Sequence, residues 1–175
     1  MDTSEYRHQE AIEISCSPEE LYGLVADVSR MGKWSPVCTG GSYDEDGQWF
    51  TGTNAMGEST WETRCRVVVA DPGHEFAFIN HGLEGRVEMV RWGFPFESIE
   101  GGGTAVTQSW EVLPDYADGL GLDEVSAVGV LTSLHQFVLR QSHAHSVPAP
   151  PLWSEAADAH RVSSMVLHFA RNEQR

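Results

Sequence analysis

Apolar and polar residues alternate over Ala11 to Cys16, placing Ile12, Ile14 and Cys16 on one face. That period of two predicts a strand. Ser17-Pro18-Glu19-Glu20 then carries the marks of a helix start. Ser17 can cap, Pro18 suits the first turn, and Glu20 completes a capping box. Leu21, Leu24, Val25 and Val28 follow at helical spacing, and Gly32 ends the helix. Trp34-Ser35-Pro36 reads as an aromatic turn.

A run of strand-like segments comes next, each closed by turn residues. Ser42 to Asp44 leads into Glu45-Asp46-Gly47, and Trp49 to Asn54 is followed by Met56-Gly57-Glu58. Thr60 to Ala70 ends at Asp71-Pro72-Gly73, and Glu75 to Asn80 ends at His81-Gly82. Arg86 to Ile99 ends at Gly101-Gly102-Gly103, and Thr104 to Leu113 ends at Pro114-Asp115. Successive hairpins predict an antiparallel meander. The last third returns to helical spacing. Val125, Val128, Leu131, Leu134 and Val138 line one stripe of Asp123 to Arg140, with Asp123 placed to help cap it. The proline-rich stretch Ser146 to Pro151 breaks the chain before a second amphipathic helix over Ser154 to Asn172. An antiparallel sheet with one buried face needs a cover, and the final helix supplies it.

Composition narrows the classes of function. The 175 residues are one domain's worth. Eleven Lys+Arg against 26 Asp+Glu give a net charge of −15. Nucleic acid and anionic lipid both require a basic surface, so neither is an expected partner. Hydrophobic residues are 41% and charged residues only 21%, which fits a packed core rather than an acidic disordered chain. Apolar runs such as Val67 to Ala70 are far short of the ~20 residues of a membrane span. Membrane insertion is therefore not expected. The acidic, polar start and three widely spaced cysteines, Cys16, Cys38 and Cys65, point to a reducing cytoplasm.

The order of these segments resembles a known family. Ser17 to Tyr22, Val25 to Val28 and Lys33 to Pro36 are similar to the first strand–helix unit of the START-like (SRPBCC) superfamily. The branch they resemble is the polyketide cyclase/dehydrase and lipid-transport group. Trp49 to Asn54, Arg66 to Phe78 and Gly103 to Val112 resemble later strands of that group. The resemblance implies an α+β helix-grip fold. A curved antiparallel sheet of about six or seven strands would wrap a long C-terminal helix and enclose a hydrophobic cavity. The chain, 1–175, is then one such domain with an inserted helical segment at about 114–151. That insert is read as a lid, as a homodimer surface, or as plain packing. Fold alone does not fix the reaction.

Strand alternation assigns an inner face. Phe50, Gly52 and Asn54 share it with Trp61, Thr63, Cys65, Val67 and Val69. Phe76, Phe78 and Asn80 join them, as do Glu88, Val90, Trp92, Phe94 and Phe96, and Val106, Gln108, Trp110 and Val112. Aromatic walls with a few polar groups suit a ligand pocket, and equally a solid core with polar tips at strand ends. The ligand-lining candidates are Trp34, Phe50, Asn54, Trp61, Thr63, Phe76, Phe78, Asn80, Trp92, Phe94 and Trp110. The resemblance implies that Trp34 lies where the cavity mouth is built, and it either closes that mouth or clamps the helix–strand corner. Asn54 and Asn80, both near turns, can satisfy backbone instead of ligand. An inward Glu88 must be paired with an arginine or carry a raised pKa, and then qualifies as a general acid or base. A solvated place at the strand rim is the other reading. His81, at a turn, and Gln108 complete the catalytic candidates.

Other chemistries find little support. His143 and His145 are two apart, a spacing that separates side chains on a helix, and no HExxH pattern exists. No metal and no cofactor is expected. Gly101 to Gly103 lacks the strand-to-helix setting of a phosphate loop, and Ser35 and Ser109 lack a nucleophile elbow. The expected function is binding of an apolar or aromatic small molecule, as in a cofactor-independent cyclase/dehydratase. The alternatives are a non-catalytic lipid or metabolite carrier or sensor, and a partner-binding protein that uses the inserted helix.

Overall fold

The computed structural model describes residues 2–123 except 34, 36, 37, 57, 83 and 84, together with 125, 126 and 128. The chain opens with strand β1 (Arg7–Ile14), helix α1 (Pro18–Ala26) and a 3-10 segment (Val28–Lys33). Six strands follow: β2 (Cys38–Tyr43), β3 (Trp49–Met56), β4 (Ser59–Asp71), β5 (Glu75–Gly82), β6 (Val87–Ile99) and β7 (Gly103–Val112). A short helix α2 (Tyr116–Leu120) comes after β7. All seven strands form one curved antiparallel sheet in the order β1-β7-β6-β5-β4-β3-β2. The meander of hairpins is thus as the turn residues predict, and β1 returns to pair with β7.

Local chemistry explains the element boundaries. The Ser17 hydroxyl accepts from the Glu20 amide at 3.2 Å, and the Glu20 carboxylate accepts from the Ser17 amide at 3.0 Å. Both halves of the predicted capping box are therefore present. Helix α1 stops at Ala26, earlier than Gly32, because Asp27 leaves helical geometry and its carboxylate turns back to Ser29. The Gly101-Gly102 turn between β6 and β7 has φ of +96° and +90°, a region that favours glycine. Asp123 accepts from the Ser126 amide at 3.0 Å and from its hydroxyl at 2.8 Å, the capping role that the sequence suggests. Helix α2 is an addition to the sequence reading. The greater part of the predicted Asp123 to Arg140 helix, the proline-rich break and the final helix lie outside the described residues.

Helix α1 packs on one face of the sheet, here the inner face. Leu21 and Val25, each 1% exposed, join Phe50, Phe76, Phe94, Phe96, Val106 and Ile14 in one cluster. Tyr22 meets the rings of Phe76 and Phe96 edge-on, with centroids 6.2 Å apart in both cases. Farther along the same face, Val90, Trp110 and Val112 pack with Tyr116 and Ala117 of α2.

Candidate functional site

Two β-bulges decide which residues share the inner face. Strand β4 pairs Val67 with Phe78 but Val69 with Ala77, so Val68 is an extra residue. The parity of alternation flips there, and Val69 moves to the outer face. Strand β6 pairs Val90 with Asn80 but Glu88 with His81, so Met89 is the extra residue. Glu88 consequently leaves the face it would share with Val90 and Trp92 in an unbroken strand.

The inner face carries an aromatic wall. Phe50 and Phe78 pack edge-on at 5.1 Å, and Phe78 continues to Phe76 at 5.9 Å and Phe94 at 6.4 Å. Trp92 pairs across strands with Phe78 on one side and Trp110 on the other. The two indoles lie 6.5 Å apart. Phe50, Phe76, Phe78, Phe94 and Trp110 are buried, and Trp92 is half-buried. Six of the predicted lining residues are thus brought together. Trp61 has the right register, opposite Asn54, but is 40% exposed, because it sits near the turn of the β3–β4 hairpin. Trp34 lies outside the described residues.

The polar members of this face are mostly engaged within the fold. The Asn54 amide donates to the Thr63 hydroxyl at 3.0 Å and to the Gly52 carbonyl at 3.3 Å. The Cys65 thiol donates to the Asn80 side-chain carbonyl at 3.3 Å, and burial pushes that thiol's pKa up. Gln108 is 4% exposed on the inner face of β7, between Val106 and Trp110.

Glu88 and His81 stand elsewhere. Glu88 forms an ion pair with Arg66 on the outer face, with both side chains more than a third exposed. Of the two readings of Glu88, the solvated rim is the one found, and there the carboxylate is paired with an arginine. The His81 ring tilts against Trp49 at 4.7 Å, and its Nδ1 lies 3.0 Å from the Gly85 carbonyl. That contact requires Nδ1 to donate, which leaves Nε2 as an acceptor. Nε2 is buried and has no partner among the described residues. Burial lowers the His81 pKa most strongly. The Gly85 hydrogen bond and Glu88 oppose the shift, while Arg66 and Arg64 add to it. Arg64 lies 5.2 Å over Trp49 and is held by both oxygens of Asp44, at 2.9 and 2.8 Å. Neither residue of the predicted acid–base pair therefore reaches the aromatic wall.

The register supplies inner-face polar groups that alternation from Ala11 did not reach. Strand β1 begins at Arg7, and His8, Glu10, Ile12 and Ile14 oppose Trp110, Gln108, Val106 and Thr104. Half-burial at positions 8, 10 and 12 alternates with exposure at 7, 9, 11 and 13. The sequence Arg7-His8-Gln9-Glu10 holds few apolar residues, so its strand period is hidden. Extending the alternation of Ile12 and Ile14 back by two positions would have found Glu10. A depression lined by Glu13, Ser15 and the Gly101, Gly102 and Gly103 turn lies at the strand ends and contains none of the aromatic wall.

A single curved antiparallel sheet, entered by a capped strand–helix unit and lined with aromatics on one face, defines a START-like helix-grip protein. A family model described as polyketide cyclase/dehydrase and lipid transport matches residues 7–141. The chain belongs to that family. The solution structure of a polyketide-cyclase-like protein from Corynebacterium glutamicum is similar over 97% of both chains, at 26% identity and a TM-score of 0.55. The di-domain ARO/CYC BexL of the BE-7585A biosynthetic pathway is similar over 95% of this chain, at 14% identity and a TM-score of 0.59. The di-domain ARO/CYC StfQ of the steffimycin biosynthetic pathway is similar over 94% of this chain, at 10% identity and a TM-score of 0.57. The chain spans about half of each di-domain protein, 47% and 50% of their lengths. At those identities the likeness concerns the fold. Among curated proteins, no match was found. No helix among the described residues is long and apolar enough to cross a membrane.

Proposed function

We propose that the protein binds an apolar or aromatic small molecule against the inner face of the sheet and acts on it as a cofactor-independent cyclase or dehydratase. The observation that carries the binding is the aromatic wall from Phe50 through Phe78 to Trp92 and Trp110. Apolar walls with a few placed polar groups are the general form of a small-molecule site. Family membership supports a reaction of the cyclase or dehydratase class, and the fold is the one that the ARO/CYC neighbours share. Such a reaction needs a surface that folds a flexible chain into a reactive conformer, and few catalytic groups. The outer-face position of Glu88 and His81 favours a second reading, a carrier that holds its ligand without transforming it.

Isothermal titration with 2-methoxynaphthalene tests the binding. Trp92→Ala should weaken it roughly tenfold, the equivalent of about 1.4 kcal/mol, while Glu88→Gln leaves it within twofold. Equal affinity in wild type and Trp92→Ala would remove the inner face as the site. Turnover of a poly-β-ketone chain by the wild-type protein separates the enzyme from the carrier.

A further inference from the structure

We propose that Glu10 and Gln108 together form the polar end of the inner-face site and hold the hydroxyl of a phenolic or enolic ligand. The hydroxyl donates to the Glu10 carboxylate, and its oxygen accepts from the Gln108 amide. The proposal rests on the inner face being the binding face.

The two residues are direct cross-strand partners on β1 and β7. Directly opposed side chains have Cβ atoms about 4.5–5.5 Å apart on one face, a span that one hydroxyl bridges. Gln108 is 4% exposed, on the inner face of β7. An amide on a buried face needs a hydrogen-bond partner to offset its desolvation, and a ligand hydroxyl is one such partner. Glu10 is half-buried on the same face. The ion pairs Arg64–Asp44, Arg66–Glu88 and Arg91–Glu75 involve other acids, and none reaches it.

The surroundings define the rest of the ligand. Trp110 is the next inner-face residue of β7, about 6–7 Å along the strand, and Trp92 stands beside it. An aromatic ring against these indoles brings its substituent to the Glu10–Gln108 pair. A carboxylate only accepts, and an amide NH2 only donates. A hydroxyl satisfies both at once, whereas an ether or a bare hydrocarbon does not. Hydrogen bonds to an ionised group are the stronger kind, so the carboxylate contributes most of the selectivity.

The experiment compares 2-naphthol with 2-methoxynaphthalene by isothermal titration of the full chain at neutral pH. Wild type should prefer 2-naphthol by about tenfold, the scale of a charge-assisted hydrogen bond. Glu10→Leu should erase the preference, bringing the 2-naphthol affinity to that of 2-methoxynaphthalene. Glu10→Gln, which keeps shape and loses charge, and Gln108→Met should each retain only part of it. A wild type that binds both probes equally, or a preference that survives Glu10→Leu, would overturn the proposal and leave inner-face binding standing. Failure of wild type to bind either probe would overturn both.

Discussion

Glu88 faces His81 across β6 and β5, one residue beyond the bulge at Met89, on the side of the sheet away from α1. The carboxylate that strand alternation sends inward is thereby part of an outer-face group with Arg66, Trp49 and Arg64. Half-exposed ion pairs contribute about 0.2–1 kcal/mol. Glu88→Gln is expected to lower unfolding stability by that small amount in a urea titration. Binding of 2-methoxynaphthalene should not change. A large loss of affinity in this variant would place the site on the outer face.

His81 makes stability depend on pH. Its folded-state pKa lies below the ordinary histidine value of about 6.5. The unfolded chain therefore binds the proton more readily, and stability falls as pH drops below about 6.5 toward the folded-state value. Above that window the group contributes no pH dependence. The charges facing the ring are Glu88, Arg64 and Arg66. His81→Asn, which keeps a donor for the Gly85 carbonyl, should flatten the urea midpoint between pH 7.5 and 5.5. An unchanged slope would show that another group titrates there.

The contact between α2 and the sheet turns on two glycines. A Cβ on Gly82 would stand 2.2 Å from the Gly119 carbonyl oxygen, which belongs to the α2 backbone. A Cβ on Gly119 meets chiefly the Met89 side chain, at 2.5 Å, and that chain can turn aside. Gly82→Ala should therefore cost about 1–3 kcal/mol, the usual range for overpacking, and Gly119→Ala less. Equilibrium denaturation of the two variants gives the comparison directly. The reverse order would mean that α2 is not held against β5 in this way.

The sequence made most of the frame legible because turn residues punctuate it. Asp71-Pro72-Gly73, His81-Gly82 and Gly101-Gly102-Gly103 each close a strand near where the structure closes it. The capping box at Ser17 fixed the start of α1. The site was less legible, for physical reasons. A bulge adds one residue without any change in composition, so nothing in Arg66 to Ala70 or Arg86 to Val90 announces it. Unbroken alternation therefore puts Val69 on the inner face, where the structure does not, and of the two readings of Glu88 the solvated rim is the one found. Glu10 carries no such signal, because its strand starts among polar residues at a sheet edge, where alternation of burial has no apolar signature. The aromatic members, Phe50, Phe78, Trp92 and Trp110, lie on stretches that the bulges do not interrupt, and their shared face was readable.

The central claim is that small molecules bind on the inner face, and indole NMR tests it most directly. Trp92 and Trp110 lie on that face, and Trp49 lies on the other, beside His81. The indole N–H signals, assigned with single Trp→Phe variants, can be followed while 2-methoxynaphthalene is added. The account predicts saturable shifts of the Trp92 and Trp110 signals, with Trp49 unmoved. Shifts confined to Trp49, with Trp92 and Trp110 still, would contradict it.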